Sequence, residues 1–298
     1  MLLAQQALNG VILGCVYALF AAGFTLIFSV LRILNLAHGA IFTWGAFFGL
    51  YAITGLGLPL PLAILVAMAG GGLLSIVLDA VAFRPLRRRN APEFSGLISS
   101  IGAAMVLTSI AQQISHTRVL RYPFGTFPIH IFQFFGLRIT LLQAIIVVSL
   151  VICVVALHLY LNATSFGRQI RAVAASETTS EILGVNPVAI YLQTFFLAGA
   201  LAAVAGLLIG NAYNSVQYSM GQPYLLIAFV VVVIGGLGSI GGAVLAGLLL
   251  GLTHSIAQTY LSADFADATV FALTFVTLLV RPSGLFGDVT SDRRVERT

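Results

Sequence analysis

The chain has 298 residues, 59% hydrophobic and 8% charged, with a formal net charge of +5 and a mean hydropathy of +1.06. Soluble domains carry about 25% charged residues, so this composition excludes a water-soluble fold and indicates a polytopic membrane protein. All fourteen basic residues are Arg; in such a chain they report orientation in the bilayer, not nucleic-acid binding.

A helix crossing the hydrocarbon needs about 20 apolar residues. Long spans are predicted at 8–30, 60–83, 96–116, 139–161, 188–210, 241–261 and 265–281, with shorter stretches at 40–56 and 222–234. The expectation is an all-α membrane bundle of eight or nine segments, forming one transmembrane domain over 1–298. The first span lacks a charged n-region and a small-residue cleavage site, so no cleavable signal peptide is expected. Cys15 and Cys153 both fall inside apolar runs and read as packing residues.

Two Gly-rich breaks interrupt this pattern, one in each half. The first is Asn35-Leu36-Ala37-His38-Gly39; the second runs from Gly235 and Gly236 through Gly238 to Gly241 and Gly242. Backbone freed inside a membrane must face protein, water or substrate. Interrupted segments at corresponding positions of two halves are the best sequence pointer to a transport path. Asn35, His38 and Gly39 at the first break, and Gly235, Gly236 and Gly238 at the second, are therefore candidate path residues. His38 and Asn35 are placed near the cytoplasmic side, as helix caps or as path contacts. Asp79 reads as an ion-pair partner of Arg84. The remaining glycines, such as Gly45, Gly49 and Gly70–Gly72, read as helix-packing positions.

The arginines set the topology. Arg32, Arg84, Arg87–Arg89, Arg168, Arg171, Arg281, Arg293, Arg294 and Arg297 fall on one side if the segments alternate; Arg118, Arg121 and Arg138 fall on the other. That bias marks the first side as cytoplasmic. The external loop over 117–138 holds Pro123, Gly125 and Pro128, then alternating Ile129-His130-Ile131-Phe132-Gln133-Phe134-Phe135, and reads as an extended or interfacial segment. The cytoplasmic stretch 162–187 carries Ile170, Val173, Ala174 and Glu177 at helical spacing and stops at Gly184 and Pro187. One helix over 168–183 is expected, lying on the membrane or in a groove of a partner. Beyond it, Asn211, Tyr213, Asn214 and Gln217 follow an outer helix end. His254 and Gln258 share one helix face; His254 joins the candidate path set, with an interhelical hydrogen bond as the alternative. No paired-carboxylate or metal-ligand spacing is visible, and no catalytic set is predicted.

Four pieces of the chain resemble the permease family of bacterial branched-chain amino acid ABC transporters, the Liv type and its H-like subunit. They are Leu34–Gly39 with Phe42-Thr43-Trp44-Gly45-Ala46; Gly167-Arg168 through Gly184-Val185-Asn186; Gly235–Ala243; and Arg281-Pro282-Ser283-Gly284-Leu285-Phe286-Gly287. The second piece looks like the family's coupling region, although it reads Ala174-Ala175-Ser176-Glu177 where other ABC importers carry a Glu-Ala-Ala pattern. The resemblance implies a type II-like importer permease in the bacterial inner membrane. It implies a second homologous permease, two cytoplasmic ATPases carrying ATP and Mg, and a periplasmic binding protein. Gly167, Arg168, Arg171, Glu177 and Gly184 are then the candidates for ATPase coupling, and residues 282–298 form a cytoplasmic tail. No cofactor is expected on this chain, which has no phosphate-loop motif. Related permeases for urea, short amides or aromatic acids, and a solitary secondary transporter, remain alternatives.

Overall fold

The computed structural model describes residues 2–89, 91–123, 130–134, 137–281 and 284–286. Helices stand at every predicted span: α1 (Leu2–Leu31), α2 (His38–Thr54), α3 (Leu60–Leu78), α4 (Arg84–Arg88), α5 (Glu93–Ser115), α6 (Leu141–Ala163), α7 (Ser165–Ala175), α8 (Glu177–Ile182), α9 (Pro187–Ala212), α10 (Gly221–Gly235), α11 (Ile240–Tyr260) and α12 (Ala263–Val280). A π-helical turn, Asp79–Phe83, joins α3 to α4. Six helices are long and apolar enough to cross a membrane, while Gly221–Gly235 and Phe265–Val280 are shorter apolar helices. Length and composition alone thus identify six candidate crossings, with the shorter apolar helices in addition.

Among the described residues, one strand pair accompanies the helices, between α5 and α6. Strand β1 (Ile131–Phe134) pairs antiparallel with β2 (Leu137–Thr140), Phe132 opposite Ile139. The alternating apolar pattern expected there as extended chain becomes this hairpin. Gly125, Pro128, Ile129 and Phe135 lie outside the described residues, as do Pro282, Ser283, Gly287, Arg293, Arg294 and Arg297.

Helix starts follow the local chemistry. Thr140 and Gln143 form a reciprocal capping box at α6. Asn186 caps α9, with Pro187 in its first turn. The segment expected as one helix over 168–183 is two. Ser176 leaves helical geometry at φ −161° and its side chain accepts from the Thr179 N–H, ending α7 and starting α8. A serine that offers the backbone an alternative bond favours a cap over a helix interior.

Helices α1 and α9 form the centre; 83% and 78% of their most apolar stretches are buried, against 17% for α5. Small residues let their backbones approach neighbours closely. Gly10 and Gly14 on α1 lie against Leu252 and Leu248 of α11, and Gly247 and Gly251 return the fit against Ala18 and Gly14. On α9, Gly206 meets the Phe42 carbonyl of α2, and Gly199 meets Gly71 and Ser75 of α3. The outer faces of α3, α5, α6 and α12 expose large apolar side chains such as Val77, Met105, Ile152 and Phe275.

A Cβ at Gly206 or Gly45 would strike backbone of Phe42 or Ala203, whereas one at Gly102 meets open space. Gly206→Val and Gly45→Val should each cost about 3 kcal/mol or more, the upper end for overpacked sites. The readout is a lower thermal midpoint and less monodisperse protein in detergent. Gly102→Ala should leave both unchanged.

Candidate functional site

The first break runs from Arg32, which adopts φ +58°, to Ala37. Asn35 bends the chain back into the bundle: its Oδ1 accepts from the Ala37 N–H at 3.1 Å. Ser100 of α5 braces the same turn, accepting from the Leu36 N–H at 3.2 Å. This return places His38, the first residue of α2, inside the bundle against α1. It is fully buried, stacked on Phe20 at 4.8 Å, with Phe24 edge-on at 5.8 Å. Its Nε2 lies 3.4 Å from the Phe20 carbonyl. His38 Nδ1 and Asn35 Nδ2 are buried with no hydrogen-bond partner among the described residues. Gly39 packs directly against Gly221 at the start of α10.

The second break is held by the C-terminal segment. Leu285 and Phe286 donate their N–H groups to the carbonyls of Ile234 and Gly235, at 2.8 and 3.2 Å. Gly236 and Gly238 take φ +98° and +89°, the left-handed region that favours glycine. Ser239 caps α11 by accepting from the Gly242 N–H at 3.1 Å. Two motifs distant in sequence, 235–243 and 281–287, thus meet in one place.

A cavity of about 1200 Å³ opens beside this second break. Gly238 and Ser239 form one wall, Arg32 another, and Arg171, Ala174 and Ile170 of α7 the floor. One predicted path residue, Gly238, and one predicted coupling residue, Arg171, are therefore neighbours. Asn35, His38, Gly39, Gly235 and Gly236 are buried in the chain and do not line the cavity.

His254 stands apart from both breaks, near the far end of α11. It bonds the Tyr17 hydroxyl through Nδ1 at 2.7 Å and meets Asp267 of α12 through Nε2 at 3.5 Å. A proton placed on Nε2 satisfies both contacts, with Tyr17 donating. Rings then continue inward: Tyr17 to Tyr224 at 6.0 Å, Tyr224 to Phe42 at 4.8 Å, Phe42 to Phe20 at 4.9 Å. This row of aromatics ends at His38, linking α12, α11, α1, α10 and α2. Spacing along a helix could pair only Tyr17 with Phe20 on α1 and His38 with Phe42 on α2; the other links cross between elements. Gln258 is exposed and takes no part. Near the same end, Asn214 ties the outer loop down, accepting from the Tyr122 N–H at 2.8 Å.

The five predicted coupling residues divide by role. Gly167 is buried where a Cβ would strike the Leu161 backbone, and Gly184 turns the chain at φ +82° after α8. Arg171 donates to the Leu161 carbonyl and to Asn162 Oδ1, bracing the end of α6. Arg168 is exposed. Glu177 is exposed at the start of α8. Gly167, Ile170 and Val173 form the buried stripe of α7, with Ile170 and Val173 seated against Val30, Ile190 and Tyr191. Below it, Ile182 and Leu183 are 81% and 75% exposed. An adjacent apolar pair inside an otherwise polar stretch was the available signal for them.

In a background lacking Cys15 and Cys153, Ala174→Cys and Leu237→Cys should react rapidly with a membrane-impermeant thiol reagent added to inside-out vesicles. Gly39→Cys should not. Equal labelling of all three would contradict the cavity boundary.

A family profile described as branched-chain amino acid transport system / permease component matches residues 6–280. The chain is 32% identical over 294 residues to the high-affinity branched-chain amino acid transport system permease protein LivH of Salmonella typhimurium, covering 95% of both chains. It is equally similar, with the same coverage, to BraD of Pseudomonas aeruginosa. A probable LivH of Methanocaldococcus jannaschii is 26% identical over 90% of this chain and 88% of its own. In fold, the chain is similar to PsaBC from Streptococcus pneumoniae in complex with Fab, at TM-score 0.50 and 12% identity, covering 93% of this chain and 92% of that one. The protein belongs to the family of branched-chain amino acid transport permeases.

Proposed function

We propose that this chain forms half of the translocation path of a bacterial inner-membrane importer for branched-chain amino acids. A second homologous permease supplies the other half. Two cytoplasmic ATPases dock beneath α7 and α8, and a periplasmic binding protein delivers substrate to the opposite end. ATP and Mg belong to the ATPases; this chain binds neither. The observation that carries this reading is the family match over 6–280.

Two further features support it. The α7–α8 pair lies at the arginine-rich end, seated by an apolar stripe and presenting Ile182 and Leu183 outward. Exposed apolar side chains on a rigid support suit a groove on a partner. The solitary secondary transporter would need a free acid within the membrane; of the two acids in the predicted spans, Asp79 is held by Arg87 at 2.6 Å and Asp267 lies 3.5 Å from His254.

The path in this reading includes the two breaks and His254. Asn35, His38 and Gly39 lie at the buried end of α2, and Gly235, Gly236 and Gly238 lie beside the cavity. Unpartnered polar atoms on Asn35 and His38 give passing polar groups something to bond when the helices part. Among Gly167, Arg168, Arg171, Glu177 and Gly184, the glycines shape the coupling segment and the charged residues meet its neighbours. ATP-driven closure moves α7–α8 and, through it, opens or shuts the cavity.

The test is reconstitution with the co-encoded subunits. Uptake of leucine into proteoliposomes should require ATP, the binding protein and both permeases. Ile182→Glu should cut ATPase co-purification at least about tenfold, the effect of burying one unpaired charge in an apolar contact, with no change in the pairing of permeases. Uptake of urea or a short amide but not leucine would replace the substrate assignment. Leucine uptake without any ATPase would overturn the importer.

A further inference from the structure

The cavity beside the second break carries cations that the chain itself does not neutralise. Arg32, just past the end of α1, lines it, and its side chain makes no hydrogen bond or ion pair with a described residue. It adopts φ +58°, a conformation in which helices commonly end on glycine and which any other residue holds against a steric cost. Ser29, one turn earlier, has its Cβ 3.8 Å from where a Cβ on Gly238 would stand. The end of α1 therefore abuts the second break.

Arg171 of α7 supplies a second cation. Both its side-chain bonds, to the Leu161 carbonyl and to Asn162 Oδ1, leave from Nη1, so Nε and Nη2 can donate elsewhere. The start of α11 adds uncharged donors. Ser239 Oγ takes the Gly242 N–H, and the Gly236 carbonyl takes that of Ser239. The N–H groups of Ile240 and Gly241, orphans of a helix start, have no acceptor among the described residues. Both residues line the cavity, and the space beside Gly241 is open. Among the described residues, no Asp or Glu lines this cavity.

The lining is also graded. Along α1 it runs from Arg32 through Ser29 to Leu26, and along α11 from Ser239 to Val244. Both helices present donors at the arginine-rich end and aliphatic side chains farther in. The ligand that suits such a lining is an anion on a short aliphatic body. A guanidinium meets a carboxylate through two parallel N–H bonds, and a helix start favours an anion. A cation of the same shape is repelled, because nothing acidic offsets the arginines.

We propose that this cavity is a binding site for aliphatic carboxylates, with Arg32 as the principal contact. In the importer the occupant is the branched-chain amino acid, held by its carboxylate and side chain, with its α-ammonium left unrecognised. That identity rests on the importer reading; the carboxylate site stands on the lining alone. An acidic phospholipid offers the same chemistry, an anion on an apolar body, and the test separates the two sources.

The assembled importer, lacking Cys15 and Cys153 and carrying Ala174→Cys, is placed in phosphatidylcholine nanodiscs and exposed to a hydrophilic thiol reagent. Millimolar leucine, and isocaproate, which is leucine without its amino group, should each slow labelling severalfold. Leucinamide, which has no carboxylate, should not. Arg32→Gln should weaken the protection by about tenfold or more, the scale of one lost hydrogen bond to a charged group. Arg32→Lys keeps the charge and should weaken it less; it decides the matter if Arg32→Gln does not assemble. Equal protection by leucinamide, undiminished protection in both variants, or no protection by either carboxylate overturns the site. Protection by added phosphatidylglycerol alone replaces the amino acid with a lipid. ATP-dependent leucine uptake by the same protein judges the importer separately. Uptake without protection sinks only the site, and protection without uptake sinks only the importer.

Discussion

Backbone that leaves a helix inside hydrocarbon must find its hydrogen bonds elsewhere. Everything specific about this protein follows from how it meets that demand at two places. At the first break, Asn35 and Ser100 take the freed amides of Ala37 and Leu36. At the second, the freed carbonyls of Ile234 and Gly235 accept from Leu285 and Phe286, while Ser239 caps the helix that follows. Each solution fixes a short helix at a set depth. The first places His38 among Phe20 and Phe24; the second leaves a cavity whose floor is α7.

The two solutions differ in what they expose. The first break is closed by side chains of its own neighbours and carries unpartnered polar atoms in a sealed place. The second is open on one side, and its neighbour α7 is a surface helix. A partner that displaces α7 acts first on the open break. The closed break is reached through α10, which runs from Gly221 against Gly39 to Gly235, and through α1, which packs along α11 by its Gly10 and Gly14 contacts. Few charges are needed along such a route when another protein supplies capture and selectivity. The buried charges instead gather at Asp79 and Arg87, between the coupling segment and α3.

Much of the helical layout was legible because membrane spans announce themselves by length and apolarity, and because the Gly runs at 35–39 and 235–242 interrupt them. The resemblance carried by those runs and by Gly167–Asn186 led to the family. What escaped is non-local or small in scale. The burial of His38 depends on the chain turning back after Arg32. Asp79 pairs with Arg87 and not Arg84 because a π turn changes the phase of the helix. The α7–α8 division rests on a single serine cap at Ser176. Tyr17, His254 and Asp267 meet from three helices, and no spacing rule connects them. Ile182 and Leu183 stood in plain view, but an apolar pair acquires meaning only once the burial of α7 shows which face is left outward.

The central claim is that the α7–α8 pair shifts relative to the second break and so opens or shuts the cavity between them. Spin labels at Thr178 and Leu237, in the assembled importer lacking Cys15 and Cys153, test this directly by double electron–electron resonance. Between the nucleotide-free and ATP-trapped states, the 178–237 distance should change by several ångströms. A fixed 178–237 distance during ATP-driven uptake would contradict the account.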